Sequence, residues 1–366
     1  MISEKLEREV TNFELSVQRR EDLSSRRMAH DTLKLLKKCV EECHVEEELE
    51  ERFIYLTKRL QSAVPTDVIV ANFCVRVMDL LNKILNESAP IFDPSSTVND
   101  VKRSQSLSLL EILISSSSSQ KLQNDHVTRK IKDAERERET EVVKSKMIKG
   151  INKMMEEIPE QDKVSELFNQ QDVSFYIHDG DILMTVGSSS TVASFFVRAF
   201  KNHKFSVIVT EHAPSYDGLK MAEMLKSHGI DCIVIPDSAV FAVMPRVTTV
   251  FCPCRAIFAD GTLVTKSFAK SVCLAARHHS KPFVIIYWMS KLTDRFLKPK
   301  DSFTVLASPN DIVPIDDDSF SQNTTILNPD GECFSGTWVT LFINEKAPHG
   351  SADIFTLVHD LYHQND

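Results

Sequence analysis

The chain has 366 residues, 42% hydrophobic and 26% charged, with a formal net charge of −9. That length favours two domains and supplies enough apolar side chains for a full core. The acidic balance argues against a nucleic-acid surface as the main business of the molecule, and no direct nucleic-acid partner is expected, although a local basic face stays open.

No apolar run reaches the roughly 18 residues that a membrane span needs, so no membrane partner is expected. The stretch MISEKLEREVTNFELSVQRR is charged from residue 4 onward and lacks the apolar centre of a signal peptide, which predicts a cytosolic chain. Eight cysteines fit that setting as free thiols. None pairs with a second C-x2-C to complete a zinc site, so no metal is expected. Cys252-Pro-Cys254 is the closest pair and reads as a buried strand end.

In chain order, the first half has helical spacing and almost no glycine. Leu33, Leu36, Val40 and Cys43 fall on one face, as do Val68, Ala71, Val75, Met78, Leu81 and Leu85. Thr66 or Asp67 starts the second of these helices. Residues 104–114 predict a short apolar helix, and the serines from 115 a mobile Ser-rich loop extending to about 124. A long charged helix follows over 125–157, with charges of alternating sign that suit a solvated face. Its thin apolar stripe, Val127, Ile131 and Ala134 and then Val143, Met147, Ile151 and Met154, suits a bundle or a partner helix. Arg19, Arg20, Arg26 and Arg27 form a basic cluster that reads either as a partner contact or as a solvated helix face.

Near residue 165 the period changes. Apolar runs at 173–178, 182–187, 205–211, 231–235, 247–251 and 282–288 predict strands. Helical stretches lie between them at Thr191–Asn202, Gly218–His228, Ser238–Met244 and Lys266–His279. Near-continuous apolar strands alternating with helices predict a mainly parallel sheet covered on both faces. Asp260-Gly261 adds a hairpin signal of the type I′ kind. The fold class is therefore α/β: an all-helical N-terminal domain over 1–165, then a Rossmann-like doubly wound domain over 166–366.

Ligands of such sheets sit beyond the carboxyl ends of the strands. Three segments occupy those ends: residues 186–191, 210–218 and 235–240. Gly187, Ser188, Ser189 and Thr191 form a turn before a helix that could hold an anion on backbone N–H groups. Alternatively, Ser190 or Thr191 caps the helix and Gly187 makes the turn. The turn matches neither G-x-G-x-x-G nor a P-loop. Glu211 and Asp237 end neighbouring strands, either as an acid–base pair or as loop anchors. His278-His279 closes a helix, where the dipole favours it, and adjacent histidines point about 100° apart, which makes a poor chelating pair.

From Ile182 to Phe283 the sequence resembles the family of translation initiation factor 2B regulatory subunits and their sugar-phosphate isomerase relatives. The stretches that carry the resemblance are ILMTVGSSSTV, VIVTEHAP, GLKMAEMLKSHGI, IPDSAVFAVMPRV, IFADGTLV and LAARHHSKPF, in the family's order and spacing. The segments FAVMPRV, WVTLFINEKAP and LVHDLYH look like its beta-type members in particular.

The isomerase relatives use a cysteine and an aspartate. By the match the cysteine's place falls on Val186, and the aspartate's on Arg255 within Pro253-Cys254-Arg255-Ala256. Their Asn-Lys-x-Gly phosphate turn becomes Thr265-Lys266-Ser267-Phe268, and their Glu-Thr-Arg-Pro becomes Glu211-His212-Ala213-Pro214. Valine moves no proton and arginine is no carboxylate base, so the resemblance implies a non-catalytic chain without a cofactor.

It further implies a subunit that pairs with a delta subunit through the α/β domains. Two such pairs would join an alpha-subunit dimer and carry gamma and epsilon subunits, a decamer with two copies of each. That assembly exchanges GDP for GTP on initiation factor 2 through epsilon. Its regulatory core binds the alpha subunit of initiation factor 2 and senses its phosphorylation. The alternative is a sugar-phosphate or nucleotide sensor that uses a vestigial pocket at Gly187, Ser188, Ser189, Thr191, Glu211 and Asp237.

Overall fold

The computed structural model describes residues 3–18, 24–43, 46–63, 68–88, 121–158, 175–296, 306–314 and 324–362. The expected short helix at 104–114, the serines at 115–119, Thr66, Asp67, Arg19 and Arg20 lie outside these residues, as does the expected boundary near 165. Two compact units result: Met1–Ala63 with Phe73–Glu157, and Val64–Asn72 with Ile158–Asp366. A contiguous division at 165 does not capture residues 64–72, which group with the sheet.

The helical unit holds α1 (Glu4–Gln18), α2 (Ser25–Glu42), α3 (Glu46–Ala63), α4 (Val68–Ser88) from Phe73 onward, and α5 (Lys121–Glu156). Ser24 caps α2 by accepting a hydrogen bond from the Arg27 N–H. Leu33, Leu36, Val40 and Cys43 are buried on one face, as their spacing requires. Along α5, Val143, Met147 and Ile151 are buried, and this helix packs on α2. Residues 121–124 belong to α5 rather than to the expected loop, because Lys121, Leu122 and Gln123 are good helix formers.

The second unit carries strands β1 (Ile182–Val186), β2 (Ser206–Thr210), β3 (Asp231–Ile235), β4 (Thr249–Pro253), β5 (Ala256–Phe258) and β6 (Thr262–Lys266). They are followed by β7 (Phe283–Ile286), β8 (Leu292–Thr293), β9 (Gly331–Ser335), β10 (Leu341–Ile343) and β11 (Pro348–His349). Its helices are α6 (Ser190–Phe200), α7 (Asp217–Ser227), α8 (Val240–Val243), α9 (Ala269–His278) and α10 (Ile354–Tyr362). The main sheet runs β3-β2-β1-β4-β7-β10-β11, parallel except for β11. This is a doubly wound order, with its reversal between β1 and β4.

Alternation along β1 explains the two-sided core. Leu183 joins the cluster of Phe195, Phe196 and Phe251, while Met184 and Val186 join that of Val250, Ile285 and Phe342. Cys252 and Cys254 are buried at the end of β4, as their apolar setting suggests.

Several local expectations need correction. The run 173–178 forms no strand over its described residues. Phe175 and Tyr176 are helical and Ile177 plugs the core, then His178–Asp181 turns into β1 with the His178 N–H donating to Asp181. The hairpin of β5 and β6 belongs to a second sheet, β8-β5-β6-β9. Its turn places only Gly261 at positive φ (+78°), and the Gly261 N–H donates to the Phe258 carbonyl. That is a three-residue connection rather than a type I′ turn, which needs two left-handed residues. The helix expected over Ser238–Met244 is broken into 3-10 turns around α8, with Pro245 unable to donate. The helix expected from Lys266 begins at Ala269, because β6 holds Lys266 in the second sheet.

Candidate ligand crevice at the switch point

The turn after β1 is shaped by Gly187, whose φ of +57° favours glycine. Its N–H donates to the buried Thr210 hydroxyl at 3.4 Å. A Cβ at this position would lie 2.7 Å from Asp217 Oδ1 and 3.2 Å from the His212 ring, so a neighbouring carboxylate already fills the space above the turn. Ser189 caps α6 by accepting from the Val192 N–H at 3.4 Å, in place of the expected Ser190 or Thr191. Thr191, two residues further on, is buried.

Asp217 is the first residue of α7 and is oriented by the glycine behind it. A Cβ on Gly218 would stand 1.9 Å from the Thr210 carbonyl oxygen, so only glycine lets α7 approach β2 this closely. Asp217 Oδ2 pairs with Lys266 Nζ, which also donates to the Ser188 carbonyl at 2.9 Å. Asp217 Oδ1 lies 3.0 Å from His212 Nδ1. Burial pushes the Asp217 carboxyl up, but His212 and Lys266 outweigh it and leave the group at about 2, against an ordinary 3.8.

His212 is 3% exposed and sits in the left-handed region at φ +58°. Its Nδ1 is 3.0 Å from Ser215 Oγ and its Nε2 is 3.3 Å from Ser267 Oγ. Asp237 fixes this loop by accepting from the backbone N–H groups of His212 and Ala213 at 3.0 and 2.9 Å. Asp237 is thus a loop anchor, the second of the two readings open to it. The Glu211 backbone pairs with the Ile235 carbonyl and the Gly218 N–H.

At the far wall the second sheet delivers Lys266 and Ser267. Phe268, at the place of the relatives' glycine, keeps a glycine-like φ of +72°, a strained conformation for a bulky residue. The Glu332 carboxylate of β9 accepts the Lys270 N–H in the first turn of α9. Burial raises its pKa, and Lys270 opposes the rise. Val186 is 1% exposed and wholly part of the core. Arg255 pairs with Asp330 at 3.0 Å. His278 and His279 end α9 and pack on Phe241 with ring centroids 5.1 and 4.8 Å away.

The structure therefore joins Gly187, Ser188 and Asp237 in one contact network with His212, Asp217, Lys266 and Ser267, and Glu332 holds the adjacent start of α9. Asp217 and Glu332 escape sequence reading as site residues. Asp217 falls inside the strand-end segment 210–218, but its partner Lys266 is 49 positions away.

A model described as the initiation factor 2 subunit family matches residues 21–347. This chain belongs to that family. Within it, translation initiation factor eIF2B subunit beta of Dictyostelium discoideum is 34% identical over 191 residues, covering 52% of this chain and 49% of that one. The Schizosaccharomyces pombe eIF2B subunit beta is 33% identical over 222 residues, covering 60% of this chain and 56% of that one. These matches span about half the length of the curated relatives. The fold also matches a chain of the tetrameric eIF2B-beta2-delta2 complex from C. thermophilum, with a TM-score of 0.68 at 18% identity, over 98% of this chain and 95% of that one. Among the described residues no helix is long and apolar enough to cross a membrane.

Proposed function

We propose that this chain is a non-catalytic regulatory subunit, of the beta type, in the eIF2B complex that exchanges GDP for GTP on initiation factor 2. The observation that carries the non-catalytic part is the state of the two positions where the isomerase relatives hold their catalytic pair. Val186 is sealed in the core, and Arg255 is a cation held by Asp330. Neither can exchange a proton with a substrate.

Membership of the initiation factor 2 subunit family supports the assembly role, as does similarity to eIF2B beta subunits and to a chain from a beta2-delta2 complex. In this reading the α/β unit pairs with a delta-type subunit in the cytosol. The assembled core, with alpha, gamma and epsilon subunits, meets the alpha subunit of initiation factor 2. Phosphorylation of that partner adds about −2 of charge, enough to alter a shared surface that basic side chains line. Use of the crevice as a sugar-phosphate or nucleotide sensor draws less support, since carboxylates of the chain itself stand inside it.

Affinity capture of the tagged chain from its own cell lysate, with mass spectrometry of what it carries, is the test. Delta-type and other initiation-factor subunits are expected in stoichiometric amounts. Their complete absence, or turnover of a ribose 1-phosphate by the purified chain, overturns the proposal.

A further inference from the structure

The crevice has the parts of an anion site, yet each part already faces a carboxylate from the same chain. Lys266 Nζ is paired with Asp217, the His212 ring lies 3.0 Å from the same carboxylate, and the first turn of α9 gives the Lys270 N–H to Glu332. The Gly187 turn keeps the positive φ that leaves its Cα bare, and the atom that takes up the vacated space is Asp217 Oδ1. A cationic side chain and a helix N-terminus are donors a phosphate monoester needs, and a bare glycine turn gives it room. Here two carboxylates, brought from α7 and β9, take those donors.

We infer that Asp217 and Glu332 act as built-in substitutes for a phosphate, closing the switch-point crevice to phosphate monoesters. The inference deepens the non-catalytic reading of the crevice and rests on it. The Asp217 carboxylate repels an incoming dianion, and with Glu332 it holds the cationic and N–H donors that would repay its desolvation. Removing the charge of Asp217 releases Lys266 from its ion pair beside the Gly187 turn and restores a donor for phosphate.

Calorimetric titration of the full chain with inorganic phosphate, at ionic strength matched with chloride, tests this. The wild-type chain is expected to give no saturable phosphate heat. Asp217→Asn is expected to bind phosphate at least about tenfold more tightly than wild type, the scale of one charge-assisted contact. Adding Lys266→Gln to that variant should remove the gain. Saturable binding by wild type as tight as that of Asp217→Asn overturns the inference. So does a folded Asp217→Asn that binds nothing, or binding that survives Lys266→Gln. Should Asp217→Asn fail to fold in chloride, Asp217→Ser carries the test, because it removes the same charge and also opens the space above the Gly187 turn. Phosphate binding there supports the inference and its absence overturns it. None of these outcomes bears on which subunits the chain carries from a lysate, so a failure here is distinguishable from a failure of the proposed assembly role.

Discussion

Two ion clusters, one in each unit, differ in kind. In the helical unit Arg59 on α3 reaches α1, donating from Nε and Nη2 to Glu14 at 2.7 and 2.9 Å and pairing with Glu7. In the sheet unit Lys266 joins Asp217, which also faces His212. The side chains of Arg59 and Asp217 are 22% and 19% exposed, so surface area does not separate them. Their surroundings do. The largest influence on Arg59 is its hydrogen bond to Glu14, which holds the proton more firmly, whereas the largest on Asp217 is loss of water, reversed by its partners. A pair of the first kind contributes little because water competes for it. A group of the second kind is costly to leave alone.

That contrast can be broken in order of expected size. Gly218→Ala forces a Cβ onto the Thr210 carbonyl and should destabilise the sheet unit by about 3 kcal/mol, seen as a lower urea midpoint. An unchanged midpoint would show that α7 can shift away from β2 at no cost. Asp217→Asn comes next, at about 2 kcal/mol, the scale of its displaced titration. Since that pKa is depressed, the stabilisation is complete above 3.8 and is lost as the pH falls towards about 2, so wild type and variant should converge in acid. Arg59→Ala should cost less than about 1 kcal/mol, a difference that shrinks in high salt as charges close to solvent are screened. The smallest effect is expected from Glu332→Gln. Its carboxyl is raised, so ionisation opposes folding, and neutralising it should leave the thermal midpoint at pH 7 unchanged or slightly higher. A clear fall in that midpoint would place Glu332 with Asp217 as a net stabiliser.

Much of the architecture was legible because it is written in local periods. The strands β1, β2, β4 and β7 are apolar runs buried on both sheet faces, β3 is an equally apolar run at the sheet edge with Ile233 and Val234 exposed, and the helices between the strands repeat at three and four residues. The crevice position followed from strand ends and one glycine. What stayed hidden depends on distance along the chain. β9, read as GECFS, has no apolar run, and it is a strand only because β6 lies beside it in register from Thr262–Ser335 to Lys266–Gly331. The capping of α9 by Glu332 is a contact across 62 positions that no local spacing encodes. Phe268 was legible as a departure from glycine, yet its backbone keeps the glycine-like turn.

Residues 64–72 give the molecule a topological property of its own. Asn72, 2% exposed, donates to the carbonyls of Ser290 and Leu292, and Val68 shares a small core with Ala256, Phe258 and Val264. The chain therefore passes between its two units three times, and neither unit is an uninterrupted stretch of sequence. Cutting the gene near codon 165 would yield one fragment with a bare amide and a bare valine, and another with a notch where they belong. During synthesis, the side chain of Asn72 waits more than two hundred residues for its acceptors. Separate production of the two halves is thus expected to fail at this seam first, and a sheet fragment supplied with residues 64–72 as a peptide should regain what the cut removes.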